Sequence, residues 1–282
     1  MNGPSLQRLN RNHGGYRGET TDLPATLTAF RDATRRTGWT LEDVPAGEAL
    51  QLLAAHRAPV APPDGAPILR VYLSAGIHGD EPAGPLALRQ LVEVNAWPPG
   101  LALWLMPCLN PTGFPANRRE NNAGNDLNRD YRYPVTAEVR AHCAWLQRQP
   151  SFDVAFCLHE DWEALGFYLY ELNPDRQPSL APQIIEAVAA VCPVDPSPLI
   201  EGRVANGGII RPDLDPASRL QWPEAFYLIQ HKTRLSYTLE APSDFPLGAR
   251  VQALVAGVNA ALTVLRSCRA AEQLTGSGVP AV

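Results

Sequence analysis

Eight polar residues in four short motifs are the ones equipped to do chemistry. They are His78 and Glu81 in GIHGDE, Arg119, Asp126, Asn128 and Arg129 in RENNAGNDLNRDY, His159 in CLHED, and Glu240 in YTLEAP. Two imidazoles and a carboxylate can hold one zinc ion and leave a fourth position open. Two arginines and an asparagine can hold an anionic substrate, because the guanidinium fork matches a carboxylate. A further glutamate can move protons. Taken together, the parts suit metal-assisted hydrolysis of an amide, although no single part implies it.

Each motif also has a plainer reading. An H-x-x-E pair puts two ligands three residues apart, yet the same pattern fits a capping Asp80 with His78 and Glu81 facing solvent. His159 follows an apolar run, where a lone histidine can simply close the edge of a core. HEDWE also places His159 and Glu163 at the i,i+4 spacing of half an H-E-x-x-H helix, but that motif requires a helix, and the preceding DVAFCL reads as strand. Asp126 can accept the second N–H of a metal-binding histidine. Glu240 can act as general base toward a water made acidic by the metal. Asp80, Glu160 and Asp161 are spare carboxylates, so a second metal stays open.

The elements needed to position these residues are legible in outline. Helices are predicted over 25–37, about Ala46–Arg57, Glu81–Val94, Glu138–Gln149, Gln183–Val191, Phe226–Lys232 and Leu247–Cys268. Strands are predicted over Ile68–Ala75, Leu101–Met106, Asp153–Leu158 and Leu235–Leu239. Residues 107–128 and 195–223 read as long loops, and the second is dense in Pro, Gly and Asn. A structureless loop of that length is usually functional. Alternating strands and helices imply an α/β fold, a three-layer α/β/α sandwich around a mixed, largely parallel twisted sheet. GIHGDE, CLHED and YTLEAP each follow a predicted strand, and open α/β sheets build sites beyond the carboxyl ends of their strands. The expected organisation is an irregular arm over 1–24, a single catalytic domain over 25–270 and a flexible tail over 271–282.

The bulk numbers set limits. The chain has 282 residues, 45% hydrophobic and 19% charged, with a net charge of -5. It has no basic stripe, so nucleic acid is not an expected partner. The five cysteines show no CxxC spacing, so free thiols in a reducing cytoplasm are expected rather than disulfides or a thiolate metal site. The first residues lack a signal-like apolar core, and no membrane span or membrane partner is expected. The absence of G-x-S-x-G argues against a serine hydrolase. Oligomeric state is not readable.

The order of motifs carries more than any one of them. H-x-x-E is followed by N-P-x-G (Asn110 to Gly113), R-x-N-x-x-G-x-D-L-N-R, a strand-end His and a strand-end T-x-E. From Ile68 to Pro242 this resembles the zinc carboxypeptidase family M14, most closely its compact bacterial branch with murein peptide amidase, beside the succinylglutamate desuccinylase/aspartoacylase group. The resemblance implies one zinc per chain held by His78, Glu81 and His159, with Asp126 bonded to His78. It implies that Arg119 polarises the scissile carbonyl, that Asn128 and Arg129 hold a terminal carboxylate, and that Glu240 is the general base and later the acid. Tyr227 is the candidate for a substrate-contacting loop tyrosine found in digestive members, though it lies nearer Glu240 than theirs does. The implied substrate is a small peptide, such as one derived from murein, or an N-acyl amino acid. The reading from another class is an inactive metal- or peptide-binding protein. Arg203 and Arg211 in the 195–223 loop are candidates to meet an extra substrate carboxylate.

Overall fold

The computed structural model describes residues 6–276. Ten strands form one sheet: β1 (Thr40–Pro45), β2 (Gln51–Arg57), β3 (Leu69–Ala75), β4 (Leu101–Met106), β5 (Val154–Asp161), β6 (Tyr168–Leu172), β7 (Leu199–Ile200), β8 (Arg203–Asn206), β9 (Ile209–Ile210) and β10 (Ser236–Pro242), in the order β1-β2-β4-β3-β5-β10-β6-β9-β8-β7. The central strands β4, β3, β5 and β10 are mutually parallel, and β2 and β6 flank them antiparallel. Such a centre must be covered on both faces. Helices α1 (Leu23–Arg36), α2 (Ala83–Val94), α4 (Ala181–Ala189) and α6 (Leu247–Gly276) pack on one face, and α3 (Ala137–Arg148) and α5 (Glu224–His231) on the other. The expected three-layer α/β architecture is borne out.

Strand alternation divides the core. Leu69, Val71, Leu73, Val154, Phe156, Leu158, Tyr237 and Leu239 face the α2/α6 layer. Tyr72, Ala102, Trp104, Ala155 and Cys157 face the α3/α5 layer. Since successive side chains point to opposite faces, His159 continues the Ala155–Cys157 row and Glu160 continues the Phe156–Leu158 row.

Several expectations need correction. The helix predicted over Ala46–Arg57 is instead part of the β1/β2 hairpin, turned at Gly47 with φ 86°. QLLAAHR has no β-branched residue, and pairing with β4 overrides its helical propensity. β6 was not expected, and the 195–223 loop contains β7, β8 and β9. β5 runs three residues past Leu158, held by parallel pairing of His159, Glu160 and Asp161 with β10, which removes the H-E-x-x-H alternative.

The segment over 6–22 has no regular secondary structure, and it is tied down: Arg8 Nε and the N–H groups of Asn10 and Arg11 donate to the Asp244 carboxylate at 3.0–3.1 Å. Helix α6 continues to Gly276, into the segment expected to be a tail, and 277–282 lie outside the described residues. Its Leu247–Cys268 stretch is long and apolar enough to cross a membrane by length and composition alone. In this fold it packs on α2, α4 and β10 as a core helix. The five cysteines are free.

Candidate active site

Beyond the carboxyl ends of β3, β5 and β10 lies a cleft of about 490 Å³, walled by His78, Glu81, Arg119, Asn128, Arg129, His159 and Glu240 among others. Three turns deliver these residues. Gly76, with φ 62°, ends β3 and starts the turn to α2. Gly79 is required by contact: a Cβ there would lie 2.2 Å from the carbonyl carbon of Gly113. Asn110 fastens the second turn by accepting from Gly113 N–H at 2.9 Å and donating to Arg119 O at 3.2 Å. Asn121 organises the third, accepting from the N–H groups of Ala123 and Asn125 and donating to Glu138 Oε1.

His78, Glu81 and His159 converge, all buried, with one donor atom from each lying within 4.8 Å of the others. His78 Nδ1 lies 2.5 Å from Glu81 Oε1, and His159 Nδ1 lies 3.0 Å from Glu81 Oε2. Two imidazole nitrogens and a carboxylate facing one point fit a zinc ion, which favours N and O donors and keeps a further position open in catalytic sites. His78 Nε2 is 3.3 Å from Asp126 Oδ1, on the side of the ring away from Glu81. An outer carboxylate of this kind sets the tautomer and orientation of a metal-binding histidine.

Arg119 donates through Nε to Asp126 Oδ2 at 2.8 Å, and its Nη1 lies 3.4 Å from His78 Nδ1. Asn128 Oδ1 accepts from the N–H of Glu224 at 2.8 Å, so its amide NH₂ is the group left for a ligand. Arg129 is exposed at the mouth, where Nη1 donates to Asn128 O. Glu240 is half-buried and in register with His159 on β5 and Tyr168 on β6.

The charges are tuned by this crowding. Burial pushes the Glu81 carboxyl up, but His78 and His159 outweigh it, and the net effect is strongly downward. Asp126 likewise ends well below the usual carboxylate range, burial being outweighed by His78 and Arg119. Burial holds the His159 imidazole low, against the pull of Glu81. Burial raises Glu240 well above its ordinary value, and Glu81, Glu201 and Asp161 add to the rise while Arg119 opposes it. A divalent cation beside Glu81 would lower Glu240 again, since a bound ion is the largest local charge.

Other sequence expectations fare differently. Tyr227 does not reach the cleft. It is buried in α5 against Tyr131 and His231, with ring centroids at 5.8 and 4.6 Å, because α5 turns that face into the core and presents Ala225 and Phe226 to the cleft instead. Arg203 lines the cleft, but Arg211 is committed to Glu171 by Nε at 2.6 Å. Asp80 lines the cleft and caps nothing: α2 has no cap from its own flank, and Glu160 of β5 accepts from Ala83 N–H at 2.5 Å. Asp161 accepts from Tyr168 Oη and Glu163 N–H. Among the described residues only the His78–Glu81–His159 group can hold a metal. Sequence reasoning missed Tyr16, Tyr168, Tyr170 and Arg219 on the wall. The i,i+2 spacing of Tyr168 and Tyr170 was a usable strand signal, whereas Tyr16 and Arg219 lie in irregular segments that offer none.

Fold and site together define an α/β protein with a carboxypeptidase-like architecture and a cleft in which His78, Glu81 and His159 could hold a metal. Residues 67–194 match the family model described as the succinylglutamate desuccinylase/aspartoacylase catalytic domain. That segment, less than half of the chain, carries His78, Glu81, Arg119, Asp126, Asn128, Arg129 and His159, and over it the chain is similar to that family, whereas Arg203, Arg211, Tyr227 and Glu240 lie beyond it. Among curated proteins no match is found. Among solved structures, a candidate metallopeptidase of Shewanella denitrificans superposes with a TM-score of 0.73 at 19% identity, over 90% of this chain and 98% of its own. A second candidate metallopeptidase, from Shewanella amazonensis, gives 0.72 at 23% identity, over 86% and 93%. A metallo-carboxypeptidase of Pseudomonas aeruginosa, solved with (2-guanidinoethylmercapto)succinic acid, gives 0.63 at 21% identity, over 88% and 70%. At these identities the likeness is one of fold.

Proposed function

We propose that this protein is a zinc-dependent hydrolase of an amide bond that lies next to a free carboxylate. The observation that carries the reading is the buried convergence of His78, Glu81 and His159 in the same cleft as Arg119 and Glu240. Zinc held by the three residues would supply a Lewis acid for the carbonyl and make the attacking water acidic. Glu240 then takes the proton of that water and later returns it to the leaving amine. Arg119, fixed by Asp126, donates to the oxygen that gains charge. The Asn128 amide and the Arg129 guanidinium hold the carboxylate and orient the scissile bond.

The wall beyond Arg129 supports a substrate with more than one acid group. Arg203 and Arg219 line it without a carboxylate in salt-bridge range among the described residues, and Arg219 lies over the Phe226 ring at 4.2 Å. Burial lowers the Arg219 pKa, with the positive charges of Arg203 and Arg129 contributing, so an anion entering there is attracted by all three. Glu201 tempers this charge from the rim, where it accepts from Tyr170 Oη.

Two substrate classes fit. A carboxypeptidase acting on small peptides is suggested by the fold shared with metallo-carboxypeptidases, and murein-derived peptides are one candidate class. An N-acyl amino acid deacylase is supported by the family match over 67–194. The free, mostly buried thiols are compatible with work in a reducing cytoplasm. A panel of C-terminally extended peptides, a murein tripeptide and N-acyl aspartate and glutamate, assayed with the zinc-loaded protein, separates the two. Cleavage of peptides alone selects the peptidase, and cleavage of N-acyl amino acids alone selects the deacylase. Cleavage of none of them counts against the proposal.

A further inference from the structure

His78 and Glu81 lie on the turn from β3 into α2 and His159 on β5, and the parallel β3/β5 ladder ends at Ala75 and Leu158, short of all three. Beyond that ladder a second buried carboxylate ties α2 to β5. Glu160, on the opposite face of β5 from His159, accepts from Ala83 N–H through Oε1 at 2.5 Å, two residues after Glu81. Its Oε2 pairs with Arg250 Nη1, and both side chains are fully buried. Ser243 Oγ donates to the same oxygen at 3.4 Å. Arg250 Nη2 then reaches the N-terminal arm, donating to Tyr16 Oη at 3.1 Å and Glu19 Oε2 at 2.8 Å. Tyr16 is itself part of the cleft wall.

We infer that Glu160 and Arg250 form a positioning pair that fixes the spacing of the metal ligands, and that Tyr16 and Glu19 of the arm complete it. The inference rests on the metal site proposed above. A carboxylate against the first turn of a helix is favoured by the unpaired N–H groups there and by the helix dipole. A carboxylate at zero exposure stays charged only when paired. Arg250 supplies the charge, and Glu19 and Tyr16 satisfy its far edge. The clamp therefore ties β5 to α2 at the level of His159 and Glu81, and hands part of its support to residues 16–19. Neither Glu160 nor Arg250 needs to touch substrate to matter.

The test is zinc affinity, read by competition with a chelating dye on folded protein, for wild type, Glu160→Gln, Arg250→Met, Arg250→Lys and Leu52→Ala. Leu52 is buried in β2, remote from the clamp, and truncating it lowers stability without touching the site. Changing the partners of metal ligands typically costs ~10–100-fold in affinity. Glu160→Gln and Arg250→Met are expected to lose that much, Arg250→Lys less, and Leu52→Ala nothing. Glu160→Gln keeps an acceptor for Ala83 N–H and so remains readable where Arg250→Met fails to fold. Wild-type affinity in Glu160→Gln, or an equal loss in Leu52→Ala, overturns the inference while leaving the metal site standing. A wild type that binds no zinc overturns both.

Discussion

Arg119 stands beside the three-ligand cluster because Asp126 holds its Nε, and that places one oxyanion donor where the proposed chemistry needs it. Losing such a donor typically costs ~10²–10³ in kcat. Arg119→Ala is therefore expected to bind zinc as wild type does and to turn over that much more slowly in a steady-state assay. An undiminished kcat removes Arg119 from the mechanism. Glu240→Gln keeps the shape of the cleft and removes the proton acceptor, so metal analysis should find it loaded while turnover is lost. Arg129 sits at the mouth rather than at the cluster, and Arg129→Ala should raise KM far more than it lowers kcat. His159 was legible because an apolar strand led to it, and His78 and Glu81 because their spacing suits a strand-to-helix turn. Tyr227 was misplaced for a definite reason: the sequence gives its distance from Glu240 but not which side of α5 meets the sheet.

Among the elements, α5 carries a consequence of its own. Its first residue, Glu224, is buried and accepts from Tyr72 Oη at 3.1 Å and Ser74 Oγ at 2.9 Å, while its N–H donates to Asn128 in the cleft. His142 Nε2 is 3.9 Å from the carboxylate, and burial holds that imidazole neutral, at about 3. Burial pushes Glu224 up to about 7, against the hydrogen bonds from Ser74, Tyr72 and Cys157. The folded value thus lies above the unfolded one, and the folded protein holds a proton that the unfolded chain has released between about pH 4.5 and about pH 7. The contribution is fully present below that window and is lost as pH rises through it. Urea unfolding at about pH 4 and about pH 8 should show wild type losing on the order of 3 kcal/mol relative to Glu224→Gln. A pH-independent difference would contradict this account of Glu224. The same level shows where sequence reading stopped. β3, β4, β5 and β10 were legible as apolar runs, and α2, α3 and α5 by their period. The β1/β2 hairpin was not, because QLLAAHR becomes strand only through β4. β7, β8 and β9 are two to four residues long and carry no periodicity of their own.

For the whole molecule, the α/β layering followed from alternation along the chain, and the cleft from three motifs falling at carboxyl ends of neighbouring strands. What no linear reading could supply is the reach of the arm to α6, or of Glu160 to α2, since those contacts span 77 to 234 residues. The proposed substrate choice rests on the same long-range geometry, where Arg129, Arg203 and Arg219 line one cleft from separate segments. The central claim is that His78, Glu81 and His159 are one metal site. It is tested most directly by metal analysis of wild type and of His159→Ala after exhaustive dialysis with zinc. About one zinc per wild-type chain and nearly none in the variant are expected. Zinc absent from wild type, or retained in full by folded His159→Ala, would contradict it.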